Sequence, residues 1–252
     1  LNFPLKLYFV FLAAKRKNIP IIFYGVGVSD NWSVIGKMIF SKILKSSNVK
    51  NIYVRDQFSQ NLLYSYLNKT FNVNVVWDPG ITISTIYRKI QSSGYIGLGI
   101  ISPLSIKHSG DSFNGSIDYD ELFISIIKII DKGGHSLFLF TNGSPEDESY
   151  KHSIYRKLPE ELKSKIILSS KPKTSRELCG IISKAKLIIA HRLHANIIAY
   201  SYGIPIIGLA WDQKVISFFR KINKEEMILK DSLYQINRIL KELINNIDYS
   251  TV

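Results

Sequence analysis

Residues 187–196 read Leu-Ile-Ile-Ala-His-Arg-Leu-His-Ala-Asn, a short apolar run that gives way at once to polar side chains. The first four residues have the length and composition of a buried strand, and the residues from 193 to 202 have helical spacing. A strand that turns directly into a helix is half of a parallel α/β unit. The stretch therefore predicts a doubly wound sheet in which ligands bind beyond the carboxyl ends of the strands.

Predicted helices and strands alternate along most of the chain, as in parallel α/β folds. The first set comprises helices at 5–17, 33–46 and 57–67 and strands at 20–24, 51–54 and 73–77. The second comprises strands at 95–101, 136–140, 165–168, 187–190 and 204–209 and helices at 119–131, 146–158, 175–184, 193–202 and 214–221. A closing helix at 233–247 has one apolar face and follows a cap at Asp231 or Ser232.

The two sets predict two Rossmann-like domains. We expect a first domain at 1–80, which ends at Asp78-Pro79-Gly80, a linker at 81–94 and a second domain at 95–252. The first domain has about three strands against about six in the second, and the sequence begins with Leu1, not Met, close to the first predicted helix. We therefore expect the N-terminal domain to be incomplete.

Composition excludes several classes of protein. The 252 residues include 33 Lys and Arg against 20 Asp and Glu, a net charge of +13, and a single cysteine, Cys179. One cysteine cannot form a disulfide framework or a multi-cysteine zinc site, and no apolar run approaches the ~20 residues of a membrane span. A reducing, cytoplasmic location is the expectation.

Positive charge is distributed along the chain and does not form a basic tail. This distribution favours a small anionic substrate or an acceptor at a membrane surface, so a peripheral contact at the inner face of the membrane stays open. The aromatic residues fall in strand cores and at helical spacing, not in alternation with arginine on a sheet face. We expect no nucleic-acid partner.

The strongest candidate site is the junction of strand and helix at 190–196. A helix N-terminus is an anion site because its first N–H groups lack partners and lie at the positive end of the helix dipole. Arg192 would add a planar fork that matches phosphate or carboxylate, and His194 a group that titrates near neutral pH. The alternative is that Arg192 pairs with an acid while His191 and His194 only cap the helix. His191 and His194 lack a visible third metal ligand, so no metal site is expected.

Two further segments place charge after a strand. Asp212 and Lys214 follow the strand at 204–209, so Lys214 could bind an anion that Asp212 helps to orient; the alternative is a helix cap and a solvated lysine. Arg55 and Asp56 follow the strand at 51–54, and Arg55 could face the cleft from the other wall. Its alternative is a surface ion pair beside an Asp56 cap.

These motifs together resemble the polysaccharide pyruvyl transferases. The resemblance lies in Ala190-His-Arg-Leu-His-Ala195, Gly203-Ile-Pro-Ile206 and Trp211-Asp-Gln-Lys214, with support from Tyr53-Val-Arg-Asp56, Asp78-Pro79 and Gly25-Val-Gly27. It implies a GT-B-like pair of Rossmann domains that attach pyruvate from phosphoenolpyruvate as a ketal to a sugar of a cell-surface polysaccharide or its precursor. The implied partners are phosphoenolpyruvate and a glycan or lipid-linked sugar acceptor, without a further cofactor.

The resemblance also assigns roles by position. Arg192, Leu193 and His194 would bind phosphoenolpyruvate, Arg55 would be a further anion contact, and His194 would supply a proton to the methylene carbon. His191 falls where the family does not reserve a histidine. Two other functions stay open: a nucleotide-sugar glycosyltransferase of the same architecture, and a truncated, inactive anion-binding domain.

Overall fold

The computed structural model describes residues 2–29, 32–67, 72–91, 94–108, 118–210 and 212–229, together with 237, 240–242, 244 and 245. The chain divides into two compact units, Leu1–Pro79 and Gly80–Val252. Within the described ranges, no helix combines the length and the apolar character that crossing a membrane requires.

The first unit is a three-stranded parallel sheet with the order β1-β2-β3. Its elements are α1 (Asn2–Arg16), β1 (Ile21–Val26), α2 (Val34–Leu44), β2 (Val49–Val54), α3 (Gln57–Leu67) and β3 (Val73–Val75). The hydroxyl of Ser33 caps α2 by accepting a hydrogen bond from the Gly36 N–H at 3.1 Å. The core is small, with Val28, Leu44, Ile52, Val54, Leu63, Leu67 and Val73 at its centre.

The second unit is larger and continues the alternation. Its helices are α4 (Ile83–Ile86), α5 (Pro103–His108), α6 (Tyr119–Lys132), α7 (Pro145–Lys157), α8 (Glu160–Lys163), α9 (Ser175–Ile182), α10 (Leu193–Ser201) and α11 (Gln213–Lys221). Its strands are β4 (Ile96–Gly99), β5 (Leu137–Phe140), β6 (Ile166–Leu168), β7 (Leu187–Ala190), β8 (Ile206–Leu209) and β9 (Ile228–Leu229). The helices and strands of the two predicted sets thus recur, with ends that differ by a few residues.

The six strands of the second unit are all parallel, in the order β6-β5-β4-β7-β8-β9. Strands β4, β5, β7 and β8 are buried at every position, because helices cover both faces of the sheet. The chain runs from β4 to β5 and β6 on one side and then crosses to β7 on the other. The carboxyl ends of β4 and β7 therefore flank the topological switch point, where such sheets bind ligands.

The structure places the expected linker, residues 81–94 apart from 92 and 93, in the second unit. Ile81 and Ile83 pack against the core of that unit. The Tyr87 carbonyl accepts a hydrogen bond from the Tyr202 hydroxyl at 2.8 Å, and the Ile90 N–H donates to Ser183 Oγ at 3.3 Å. This segment is thus ordered by apolar and polar contacts, although its serine-rich sequence indicated a connection.

The remaining comparisons with the prediction concern short or terminal elements. Strand β9 and helices α4, α5 and α8 were not predicted, because segments of two to six residues have no clear periodicity. Of the predicted closing helix at 233–247, the structure describes six residues, of which Asn237 is the first, and Leu240 and Ile244 are buried in the core. The rest of that helix and its proposed cap lie outside the described residues.

Candidate functional site

Arg192 joins the buried strand β7 to helix α10 and occupies the N-cap position. Its backbone is extended, at φ −74° and ψ 122°, and its side chain makes no capping hydrogen bond. The Leu193 side chain turns into the core, while the His194 side chain is exposed. The positive end of the α10 dipole and the exposed His194 side chain thus lie just after the carboxyl end of β7.

The guanidinium of Arg192 forms an ion pair with Asp147, in the first turn of α7. Nε and Nη2 of Arg192 lie 3.0 and 2.6 Å from Oδ2 of Asp147. The other carboxylate oxygen accepts hydrogen bonds from the Ser102 N–H at 2.8 Å and the Ser105 hydroxyl at 3.1 Å. Asp147 is fully buried, whereas 27% of the Arg192 side chain is exposed. Nη1 of Arg192 takes no part in this ion pair.

Asp147 therefore connects the loops after β4, β5 and β7, which are neighbours in the sheet. The sequence left open whether Arg192 pairs with an acid, and it did not single out Asp147. A signal was present: Ser144-Pro145-Glu146-Asp147 is a typical helix start, and Ser144 Oγ does accept from the Asp147 N–H at 3.2 Å. What the sequence could not show is that the Asp147 carboxylate turns across the sheet edge and away from its own helix.

His191 is a core residue. It is 3% exposed and its ring lies 5.3 Å from that of Phe123 and 6.2 Å from that of Tyr119, between centroids. Burial, and to a smaller extent the charge of Arg192, lowers the pKa of His191 to about 3. A neutral imidazole in an aromatic environment has a packing role, which accounts for a residue that the motif left unexplained.

Asp212 is the N-cap of α11. Its Oδ1 accepts from the N–H groups of Lys214 at 2.6 Å and Val215 at 3.1 Å, and the side chain is almost fully buried. The ammonium of Lys214 lies 3.7 Å from Oδ2, with about a third of the side chain exposed. Asp212 thus has the capping geometry that the sequence offered as the alternative, and it holds Lys214 beside the first turn of α11. Trp211 of the same motif lies outside the described residues.

A second buried ion pair lies beyond the carboxyl end of β5. Lys151 is fully buried, its ammonium lies 2.9 Å from Oε2 of Glu148, and it donates to the Ser169 carbonyl at 2.7 Å. The hydroxyl of Thr141 donates to the same glutamate. Nothing in the sequence pattern indicated this network. It fixes the loop that precedes α7, and so the helix that carries Asp147.

Arg55 belongs to the first unit and follows β2. Its Nε lies 3.4 Å from Asp56 Oδ2 and its Nη1 3.4 Å from Asp78 Oδ2, with 12% of the side chain exposed. Asp56 also accepts from the Ser59 N–H at 2.7 Å, as expected for a cap of α3. A Cβ at Gly27 would lie 2.5 Å from Arg55 Nη2, so the guanidinium lies directly on that backbone. The ion pair of the alternative interpretation is present, and it is largely buried.

The first unit also contains a cavity of about 650 Å³ between α1, β1 and α2. Aromatic and aliphatic side chains dominate its lining, and none of the lining residues within the described part of the chain is ionisable. A site for an anionic substrate requires charged or titratable groups, and the residues around Arg192 supply them. Among the described residues, no group of three or more His, Cys, Asp or Glu side chains could hold a metal ion.

These features define an α/β protein with parallel, Rossmann-like sheets and a candidate anion-binding site at a topological switch point. The chain belongs to the polysaccharide pyruvyl transferase family, whose model matches residues 1–213, and this confirms the resemblance found in the sequence. No curated protein matches the chain.

Solved structures of similar fold include enzymes of nucleotide sugars. The UDP-GlcNAc 2-epimerase of Methanocaldococcus jannaschii, in complex with UDP-GlcNAc and UDP, is 12% identical with a TM-score of 0.57, over 95% of this chain and 66% of that one. S. aureus MnaA, solved with UDP, is 13% identical with a TM-score of 0.63, over 94% and 63%. The chain thus spans slightly less than two thirds of either. At this identity the likeness shows the fold, and it confirms the predicted GT-B-like α/β class.

Proposed function

We propose that the chain takes the pyruvyl group of phosphoenolpyruvate and attaches it as a ketal to two hydroxyls of one sugar. Membership of the family supports the transfer of pyruvate to a polysaccharide or its precursor. The observation that carries the choice of donor is the position of Arg192, at a helix N-terminus beyond the switch point of the larger sheet. A guanidinium and a helix dipole suit a small molecule that carries both a carboxylate and a phosphate.

The proposed chemistry forms two C–O bonds at the central carbon of the donor. Protonation of the methylene carbon lets one sugar hydroxyl add to the central carbon, and the second hydroxyl then displaces phosphate. Of the two hydroxyl protons, one accounts for the new methyl group and the other leaves with the phosphate. His194 delivers the proton to the methylene carbon and recovers it from a hydroxyl, since its imidazole is exposed beside Arg192.

The other site residues then bind charge and position the donor. Arg192 uses Nη1 for the donor while Asp147 holds the rest of the guanidinium. Leu193 sets the first turn of α10, and Lys214, beside the Asp212 cap, is a second cation after a strand of the same sheet. Arg55 of the first unit is a further anion contact. The acceptor is a glycan or lipid-linked sugar, and the reaction takes place in the cytoplasm.

A comparison of ligands tests the proposal. Melting temperatures of the full chain are measured alone, with phosphoenolpyruvate and with UDP-sugars, and phosphate release is measured with glycan acceptors. We expect phosphoenolpyruvate to raise the melting temperature more than UDP-sugars do. A shift with UDP-sugar alone would favour the glycosyltransferase, which the two UDP-bound structures make the second candidate. Binding of phosphoenolpyruvate without phosphate release from any acceptor would indicate an anion-binding domain.

A further inference from the structure

Helix α1 is apolar on its exposed face as well as on its buried one. Phe3, Phe9 and Val10 are each at least 65% exposed, and Leu5 is 41% exposed. The opposite face holds the buried Phe11. A surface helix of a globular domain normally has a polar outer face, so this helix has more apolar surface than its own unit covers.

Helix α2 lies beside α1 and continues the same kind of surface. The ring of Phe3 lies 6.3 Å from that of Phe40, and the ammonium of Lys42 lies 5.4 Å from the ring centre of Tyr8. Three apolar side chains at the start of α2 are exposed by more than half. We call the exposed apolar side chains of both helices the α1–α2 face: Phe3, Leu5, Phe9, Val10, Val34, Ile35 and Met38.

Basic side chains are interleaved with this face. Lys6 follows Phe3 by three residues and precedes Phe9 and Val10 by three and four, so all four lie on one side of α1. Lys42 follows Met38 by four residues on α2. The exposed basic residues of the two helices and of the α2 C-cap are Lys6, Lys15, Arg16, Lys37, Lys42 and Lys45. The first 50 residues contain eight Lys and Arg, and the one acidic residue among them is Asp30.

This mixture distinguishes between two kinds of partner. A protein surface that covered the α1–α2 face would bury Lys6 between three apolar side chains, and an ammonium buried without an acidic partner is costly. The headgroup region of an anionic bilayer accepts both components at once. Phenylalanine and aliphatic side chains enter the boundary of the acyl chains, and lysines extend to the phosphates.

We propose that the α1–α2 face binds the surface of an anionic lipid bilayer. The energetic contributions are the burial of the apolar side chains and the attraction of about six basic residues to anionic headgroups. Neither depends on which reaction the second unit carries out, so this inference stands apart from the proposed function. Together the two would place the enzyme where lipid-linked acceptors are found.

Vesicle binding of the full chain tests the inference. Co-sedimentation is measured with vesicles of phosphatidylcholine alone and with vesicles that contain 30 mol% phosphatidylglycerol, at low and high salt. We expect binding to the anionic vesicles that weakens with salt, and much weaker binding to phosphatidylcholine. Lys6→Gln, Lys15→Gln and Lys45→Gln together should weaken binding roughly a hundredfold, at about fivefold for each lysine. Phe9→Ser with Met38→Ser should weaken it at least tenfold.

Matched variants of the second unit are the control. Leu104→Ser with Ile167→Ser removes two side chains that are 58% and 50% exposed, and Lys132→Gln, Lys171→Gln and Lys173→Gln removes three exposed charges. Both sets should bind like the unchanged chain. Equal losses in both units, or no binding of a folded chain to anionic vesicles, would overturn the inference. So would sedimentation that shows a dimer lost in Phe9→Ser while vesicle binding is unaffected, because the face would then bind a second copy.

Discussion

Nη2 of Arg192 lies 2.6 Å from Oδ2 of the fully buried Asp147, so the cation of the candidate site also neutralises a carboxylate that no water reaches. Arg192→Ala removes two charge-assisted hydrogen bonds from that carboxylate. We expect the free energy of unfolding to fall by about 1.5–3 kcal/mol, measured by urea denaturation. Donor affinity should fall by a similar amount, so it must be measured on folded protein.

Arg220→Ala is the control for this prediction. Arg220 Nε lies 2.8 Å from Glu225, but both side chains are more than half exposed. An exposed ion pair contributes little to the free energy of unfolding, because solvent screens it. If the two substitutions lowered the free energy of unfolding equally, the burial of Asp147 would not explain the contribution of its ion pair to stability.

The lowered pKa of His191 predicts how the free energy of unfolding depends on pH. Its pKa is lowered to about 3 in the folded chain, while an unfolded histidine titrates near 6.5. Below pH 6.5 the unfolded chain binds a proton that the folded chain does not, so stability falls as pH falls through this range. Between pH 7 and pH 5, His191 should lower the free energy of unfolding by about 2 kcal/mol.

His191→Gln should remove this contribution, so its loss of stability from pH 7 to pH 5 should be smaller by that amount. Urea denaturation at the two pH values measures the difference. An unaltered pH dependence in His191→Gln would mean that the His191 ring is protonated in the folded chain.

The fold of each unit was predictable because its signals are local. Apolar runs of four residues such as Leu187–Ala190 mark buried strands, and the intervening helices have caps such as Asp118 and Ser144. The expected linker at 81–94 is harder to place from sequence, because where it packs depends on the distant side chains that Ile81 and Ile83 contact. Local pattern specifies an element, and tertiary contact decides which unit holds it.

The candidate site was predictable only in part, for the same reason. Arg192 and His194 stand out because a strand meets a helix there. Asp147 is 45 residues from Arg192 in the chain, and it meets the arginine because β5, β4 and β7 are neighbours in the sheet. Sheet order is not encoded by the period of any one segment, so the partner of Arg192 became visible only in the structure.

His194 is the residue to which the proposal assigns the chemical step. Its side chain is exposed at the start of α10, so His194→Ala should leave the melting temperature close to that of the unchanged chain. Turnover of phosphoenolpyruvate should fall roughly 10²–10⁴-fold, as expected for loss of a general acid. Donor affinity should change less, and phosphate release and ligand titration measure the two quantities separately. Equal losses in both would mean that His194 only positions the donor phosphate.

A substitution at Gly27 tests how firmly the Arg55 guanidinium is held in the first unit. In Gly27→Ala the new Cβ would lie 2.5 Å from Nη2 and 2.6 Å from Cζ of Arg55, and the guanidinium cannot move without loosening its contacts with Asp56 and Asp78. We expect the substitution to destabilise the first unit by about 1–3 kcal/mol, the usual cost of overpacking. Hydrogen exchange of the amides of β1 and β2 measures the change locally.

A double variant shows whether the Cβ introduced by Gly27→Ala destabilises the unit through contact with the Arg55 side chain or through contact with the backbone. When Arg55→Ala has already removed the guanidinium, Gly27→Ala should cost almost nothing further, because the atoms that the Cβ would meet are gone. Gly180→Ala, in α9, is the matched control: its Cβ would meet no atom closer than 3.4 Å, and alanine in a helix should stabilise by about 0.5–1 kcal/mol. If the losses of stability in Gly27→Ala and Arg55→Ala simply added, the absence of a side chain at Gly27 would not be needed to make room for the Arg55 guanidinium.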